Sequence, residues 1–230
     1  MTPSLAKISS FDLYGPIHKG LRLAMAELLV RIGRTDFACP YEGEEALAEV
    51  ARHLRIVRAH LAHEDKHVHA ALEARLPGST RELEAEHLSH RAALFGLECL
   101  TADLLAARLP ERQAGARELY NSLARFAAED FTHMAHEEGA ISELMHRHFT
   151  DAELQAIEAA ILADLKPELA SDMLSLILRA ASPAEQLARL EAMQAGLPHP
   201  AFVQILKTVA RPTMRALTWR QAQERFCVAA

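Results

Sequence analysis

The chain has 230 residues, of which 50% are hydrophobic and 24% are charged, and its formal net charge is −6. A chain of this length can bury a large core, and its acidic balance argues against a general nucleic-acid surface. The three cysteines, Cys39, Cys99 and Cys227, form no C-x-x-C pair, so the sequence indicates neither a disulfide framework nor a cysteine-based zinc site.

Four long amphipathic segments fill residues 1–150, each bounded by helix breakers. They run from about Pro16 to Gly33, from Pro40 to just before Pro77, from a Ser79–Glu82 capping box to Pro110, and from about Arg112 to Phe149. Short connections between long helices make sequence neighbours antiparallel. The expected fold is therefore all-α, an up-down four-helix bundle.

The last 80 residues differ from the first 150 in the length of their predicted helices. A Thr150–Glu153 capping box opens this region, and prolines then divide it into several short pieces. Of the thirteen histidines only His199 lies here. We expect residues 1–150 to form one domain, and residues 151–230 to form a helical extension that packs on the bundle or mediates a homodimer.

The most informative pattern is a repeat. Residues 60–65 read His-Leu-Ala-His-Glu-Asp, and residues 133–138 read His-Met-Ala-His-Glu-Glu. At about 100° per residue, Glu64 and Glu137 fall on the apolar sides of their helices, and His60 and His133 fall on the shoulders. The histidine between them points away in both copies. Each helix thus presents an imidazole and a carboxylate together, which are ligands for a metal ion held between helices.

The other two segments also turn histidines inward. His18 lies on the apolar stripe of the first segment, His90 lies near the centre of the apolar face of the third, and His87 lies on its shoulder. Two buried carboxylates would be costly without a cation, which favours a metal site. The predicted ligands are His18, His60, Glu64, His87, His90, His133 and Glu137, with the choice between His87 and His90 left open. Tyr14, His67, Glu86, Asp130 and Glu138 are predicted to contact these ligands from outside and orient them.

A second motif competes with this interpretation. Residues 63–67 read His-Glu-Asp-Lys-His, which matches the H-E-x-x-H signature of zinc peptidases. The repeat at residues 133–138 lacks the second histidine, and the helical wheel turns His63 away from the core. A zinc peptidase is therefore the remote alternative.

With these residues assembled, residues 11–150 resemble the hemerythrin-like family, also called HHE cation-binding domains. The resemblance rests on "IHKGLR", "HLAHEDKHVHAALEARLPG", "EHLSH" and "HMAHEE". It implies a four-helix bundle around two iron ions, with both glutamates bridging the metals and the histidines completing the coordination. The patterns of the third and fourth helices are closer to the bacterial iron-centre repair proteins and an iron-sensing F-box protein than to the oxygen carriers.

The leading expectation is a non-haem di-iron protein that binds O₂, NO or peroxide, or that handles iron in stress response or sensing. The alternatives are a di-iron oxidase- or peroxidase-like enzyme and an iron-centre repair or iron donor protein. Zinc or manganese could occupy the same ligands.

No apolar run approaches the ~20 residues of a membrane span, and residues 1–14 lack the layout of a signal peptide. We therefore expect a cytoplasmic protein without a membrane partner.

Overall fold

A computed structural model of the chain describes residues 11–227, and this part of the chain is α-helical without a β-strand. The helices in the first 164 residues are α1 (Gly15–Arg34), α2 (Pro40–His63), α3 (Ala70–Arg75), α4 (Arg81–Ala106), α5 (Leu109–His136), α6 (Ser142–His148) and α7 (Asp151–Asp164). The shorter helices that follow are α8 (Pro167–Ala180), α9 (Pro183–Gly196), α10 (His199–Ile205), α11 (Arg211–Thr213) and α12 (Ala216–Phe226). The predicted all-α class is confirmed.

Two of the long predicted segments contain wider, π-helical turns. Helix α2 continues through a π-helical segment, Glu64–His69, into α3, and α5 continues through a second one, Glu137–Ile141, into α6. A π-helical turn closes i→i+5 hydrogen bonds and often occurs at a functional site. Each segment begins at the glutamate of the sequence repeat.

Local chemistry explains most helix starts. Proline stands in the first turn of α1, α2 and α5, where its missing N–H costs no hydrogen bond. The capping box predicted at Thr150–Glu153 forms, and a second one forms at Ser182–Glu185. The one predicted at Ser79 does not, because α4 starts one residue later, with Thr80 as its N-cap; the Thr80 hydroxyl lies 2.9 Å from carboxylate oxygens of both Glu73 and Glu84 and donates its one proton to this pair.

The described residues divide into two compact units. The first comprises residues 11–15 and 24–164, so it includes α7, which lies beyond the domain boundary expected at residue 150. Within it α4 packs against both α2 and α5, and α7 packs against the π-helical segment Glu64–His69. An apolar cluster forms between the two π-helical segments, α3, α4, α6 and α7. Its buried members are Tyr14, Val68, Leu72, Leu83, Ile141, Met145, Phe149 and Leu154.

The second unit comprises residues 16–23 and 165–227. Its core forms where α8, α9, α10 and α12 bring together two aromatic side chains, Phe202 and Phe226, whose ring centroids are 5.4 Å apart in an edge-to-face arrangement. The Gln186 side chain donates to the Leu178 carbonyl inside this core at 2.6 Å. No helix within residues 11–227 is both long and apolar enough to cross a membrane.

Candidate metal centre

Both glutamates of the sequence repeat are buried in the first unit. Glu64 is 3% exposed and Glu137 is fully buried. Each is the first residue of a π-helical segment, so the backbone widens at the position where the carboxylate leaves it. The repeat in the sequence is therefore also a repeat in backbone geometry.

Two histidines join these glutamates. Glu64, His87, His133 and Glu137 each offer one ligand atom, and the four atoms all lie within 4.8 Å of one another. His87 Nε2 lies 3.7 Å from a Glu64 oxygen, and His133 Nε2 lies 3.4 Å from a Glu137 oxygen. The two Nε2 atoms are 3.0 Å apart. Two imidazoles and two carboxylates form a donor set suited to iron, zinc or manganese.

A carboxylate holds the opposite nitrogen of each ring. His87 Nδ1 lies 2.7 Å from an Asp65 oxygen, and His133 Nδ1 lies 2.7 Å from a Glu86 oxygen. Burial by itself raises the pKa of Asp65, but hydrogen bonds from Arg91 and His87 outweigh burial and lower it. Burial by itself also raises the pKa of Glu86, but the hydrogen bonds and charges of His133 and His136 together outweigh burial and lower it. Both carboxylates are thus ionised and can only accept hydrogen bonds.

These contacts determine the tautomer of each ring. Since Asp65 and Glu86 only accept, each Nδ1 carries a proton, and the Nε2 of a neutral ring carries a lone pair. The pKa of His87 is lowered to about 4, by burial first and then by the neighbouring His69 and His133, so this ring is neutral near pH 7. Two lone pairs 3.0 Å apart repel unless a proton or a metal ion lies between them. The donor set therefore fits a metal ion.

A third histidine approaches the same glutamates. His60 Nε2 lies 3.1 Å from a Glu64 oxygen, and ligand atoms of His60, Glu64 and Glu137 lie within 4.8 Å of one another. Both glutamates can therefore serve two neighbouring ligand sets. His18 is fully buried on α1, in the stretch that belongs to the second unit, and its role as a ligand stays a prediction.

His90 occupies a different position from His87. Its Nδ1 donates to the backbone carbonyl of Glu86 at 2.8 Å, and its Nε2 lies 4.0 Å from an Asp130 oxygen. Its ring centroid is 4.8 Å from that of His133. His90 thus packs behind His133 with Asp130 beside it, and His87 is the histidine of α4 that lies in the four-atom set.

The remaining predicted neighbours are distributed unevenly. Tyr14 is buried, and its pKa is raised by burial and by the charges of Glu137 and Glu64. Glu138 is half-buried beside Glu137. His67 instead faces α7, where its Nε2 lies 3.3 Å from an Asp164 oxygen.

The H-E-x-x-H residues do not converge on one point. His63 and His67 both face Asp164, at 3.9 and 3.3 Å, and Lys66 contacts the same oxygen at 2.6 Å. Glu64 lies in the buried centre with His60 and His87. In a zinc peptidase both histidines of the motif bind one ion and the glutamate is the general base. The geometry here gives the glutamate the position of a ligand.

Two residues of the centre are absent from the predicted ligands and their neighbours. Asp65 holds His87, and His69 is buried with its Nε2 3.7 Å from a Glu137 oxygen. In a regular α-helix, a residue five positions after Glu64 lies about 140° from it around the helix axis. The π-helical turn has more residues per turn, so His69 lies on the same side of the helix as Glu64. Its spacing from Glu64, one i→i+5 step, is the signal that could have identified it.

The chain matches no protein-family model, no curated protein and no solved structure.

Proposed function

We propose that this chain is a non-haem metal protein of the hemerythrin-like type, which holds two iron ions in an up-down four-helix bundle and binds O₂, NO or peroxide. The observation that carries the proposal is the pair of Nε2 atoms, of His87 and His133, that face each other at 3.0 Å beside two buried glutamates. An ionised carboxylate orients each ring, as is usual for histidines that bind metals.

The ligands divide into two sets that share the glutamates. His87 and His133 would hold one ion together with Glu64 and Glu137. His60 would hold the second ion with the same two carboxylates, and we propose that His18 completes this set. Bridging glutamates explain why both carboxylates are buried among imidazoles, since an isolated buried charge is unfavourable.

The residues of the chain have separable roles in this centre. Asp65 and Glu86 hold the two imidazoles in the tautomer that presents Nε2 to an ion. Tyr14 lies in the apolar cluster, and burial, followed by the charges of Glu137 and Glu64, raises its pKa, so its hydroxyl stays protonated. Bound iron would supply a redox-active Lewis acid for a small ligand.

Metal analysis after anaerobic loading with Fe²⁺ tests the proposal. We expect about two iron ions per chain, and a loss of both in the Glu64→Ala/Glu137→Ala double variant because the bridging ligands are gone. The matched control is Glu143→Gln, which removes an exposed carboxylate that pairs with Arg147 at 2.9 Å. Fewer than one iron per chain in the wild type, unchanged in the double variant, would contradict the proposal.

Exposure of the anaerobic ferrous protein to air provides an independent measurement. We expect a new absorption band that the double variant lacks and the Glu143→Gln control retains. A spectrum that does not respond to air would argue for a redox-inactive ion, such as zinc, in the same ligands.

A further inference from the structure

His69 is an unusual buried side chain. It is 4% exposed, and neither of its ring nitrogens makes a hydrogen bond within residues 11–227. A neutral imidazole has one N–H donor and one acceptor, and buried polar groups of this kind are nearly always satisfied. An unsatisfied buried imidazole next to a cluster of carboxylates therefore requires an explanation.

The surroundings of His69 place each nitrogen near a carboxylate. Nδ1 lies 3.3 Å from an Asp65 oxygen, and Nε2 lies 3.7 Å from a Glu137 oxygen. The ring centroid is 4.8 Å from that of His87, with 35° between the ring planes. One nitrogen thus faces a carboxylate at the edge of the centre, and the other faces a carboxylate inside it.

This arrangement repeats the one seen in the two histidines already described. His87 and His133 each have a carboxylate at Nδ1 and turn Nε2 toward the buried glutamates. His69 has the same order of groups with a looser contact: its Nδ1 lies 3.3 Å from the Asp65 oxygen that contacts His87, without forming a hydrogen bond, and its Nε2 faces Glu137. An imidazole held from behind by a carboxylate is the usual arrangement of a metal-ligating histidine.

One distance links His69 to the four-atom set, and it is compatible with a shared ion; His69 also offers a ligand atom to a neighbouring set with Asp65 and His87. Two ligand atoms that each lie about 2.1 Å from one metal ion can be at most about 4.2 Å apart. The separation from His69 Nε2 to the Glu137 oxygen, 3.7 Å, falls within this limit. The separation from His87 Nε2 to the same oxygen is 3.9 Å. His69 is therefore as near to that oxygen as His87 is.

We infer that His69 is a further ligand of the ion held by His87, His133 and Glu137, binding through Nε2 while Asp65 holds Nδ1. The inference rests on the proposed metal centre. It assigns a function to the π-helical segment Glu64–His69, whose first and last residues then serve the same centre. An uninterrupted α-helix would turn them about 140° apart.

The competing explanation is that His69 only supports Asp65. The variants His69→Ala and His69→Gln separate the two roles, because a glutamine amide offers Asp65 an N–H donor but supplies no imidazole. The matched control is His148→Ala, which removes an exposed histidine at the end of α6. Circular dichroism of each metal-free variant checks that the full-length chain is folded.

The measurement uses Co²⁺ as the probe ion, with its affinity determined by titration and the ligating imidazoles observed as paramagnetically shifted N–H signals in proton NMR. We expect both His69 variants to bind Co²⁺ at least about tenfold more weakly and to lose one shifted N–H signal. The His148→Ala control should keep both properties. Added imidazole should restore part of the affinity of His69→Ala, since it can enter the space left by the ring.

Three outcomes would overturn the inference. Wild-type affinity and a full set of shifted signals in His69→Ala would show that His69 is not a ligand, as would a loss in His69→Ala that His69→Gln fully recovers. If the wild-type chain binds neither Co²⁺ nor Fe²⁺, the proposed metal centre itself is wrong. If the wild type binds metal and only the His69 result is negative, the metal centre stands and only the role of His69 is wrong.

Discussion

His87 and His133 face each other through Nε2 atoms that are 3.0 Å apart, while the Nδ1 atom of each ring lies 2.7 Å from a carboxylate oxygen. The carboxylates fix the protons on the outer nitrogens, so the inner nitrogens are left to share a cation. Metal binding should therefore depend on residues that never touch the metal.

We expect Asp65→Asn and Glu86→Gln to weaken metal binding by about 10- to 100-fold each, because an amide can donate to Nδ1 and so favours the wrong tautomer. Competition against a chromophoric chelator would measure the affinity. Glu98→Gln is the control, since this carboxylate lies on the same helix as Glu86 but pairs with Arg58 at 2.7 Å. Equal affinities in all three variants would contradict the assigned tautomers.

The geometry also distinguishes the two inward histidines of α4. We expect His87→Ala to lower metal affinity by about 100-fold or more, as loss of a direct ligand should exceed the loss of an orienting partner. His90→Ala should lower it by less than about tenfold, because the His90 Nδ1 donates to a backbone carbonyl and its ring lies behind His133. The same chelator competition gives both values. A larger effect for His90→Ala would reverse the assignment.

The proposed second ion leads to a prediction on stoichiometry. We expect His18→Ala to reduce the iron content from about two ions per chain to about one, because the ion proposed at His87 and His133 would keep its ligands. Metal analysis after anaerobic loading and gel filtration measures the ratio. A variant that retains two ions would remove His18 from the ligand set, and a variant with none would show that the two ions bind only together.

The sequence predicts the helical class and much of the local structure for a clear physical reason. Long 3.6-residue periodicity, prolines in first turns and the Thr150–Glu153 capping box are local signals, and the structure contains the helices they indicate. The inward direction of Glu64 and Glu137 also follows from periodicity, because each is the first residue of its π-helical segment and only α-helical residues come before it in that helix.

The contacts of the residues after Glu64 could not be predicted from a helical wheel that assumes about 100° per residue throughout. His69 moves inward because the π-helical turn changes the angle per residue, and a wheel assumes one angle throughout. His67, which the wheel places beside His60, faces Asp164 instead because α7 packs against this segment. Such a contact joins residues 97 positions apart, and periodicity carries no information about it.

A buried histidine away from the centre gives the last prediction, which concerns stability and pH. His53 on α2 is 5% exposed, and burial, followed by the charge of Arg52, lowers its pKa from 6.5 to about 4. As the pH falls below 6.5 the unfolded chain takes up this proton before the folded chain does. The contribution of His53 to stability is therefore complete above pH 6.5 and is lost as the pH falls toward 4.

The contribution of His53 to the free energy of unfolding should fall by about 2–3 kcal/mol between pH 7.5 and pH 4.5, since one unit of difference between folded and unfolded pKa corresponds to about 1.4 kcal/mol. Urea unfolding of the chelator-treated protein at the two pH values measures it. We expect His53→Leu, which cannot titrate, to lose about 2–3 kcal/mol less unfolding free energy than the wild type between these pH values. The control His148→Gln removes an exposed histidine and should match the wild type. If His53→Leu shows the full wild-type loss, the acid sensitivity of the fold originates in other groups, and burial of a neutral His53 is not its cause.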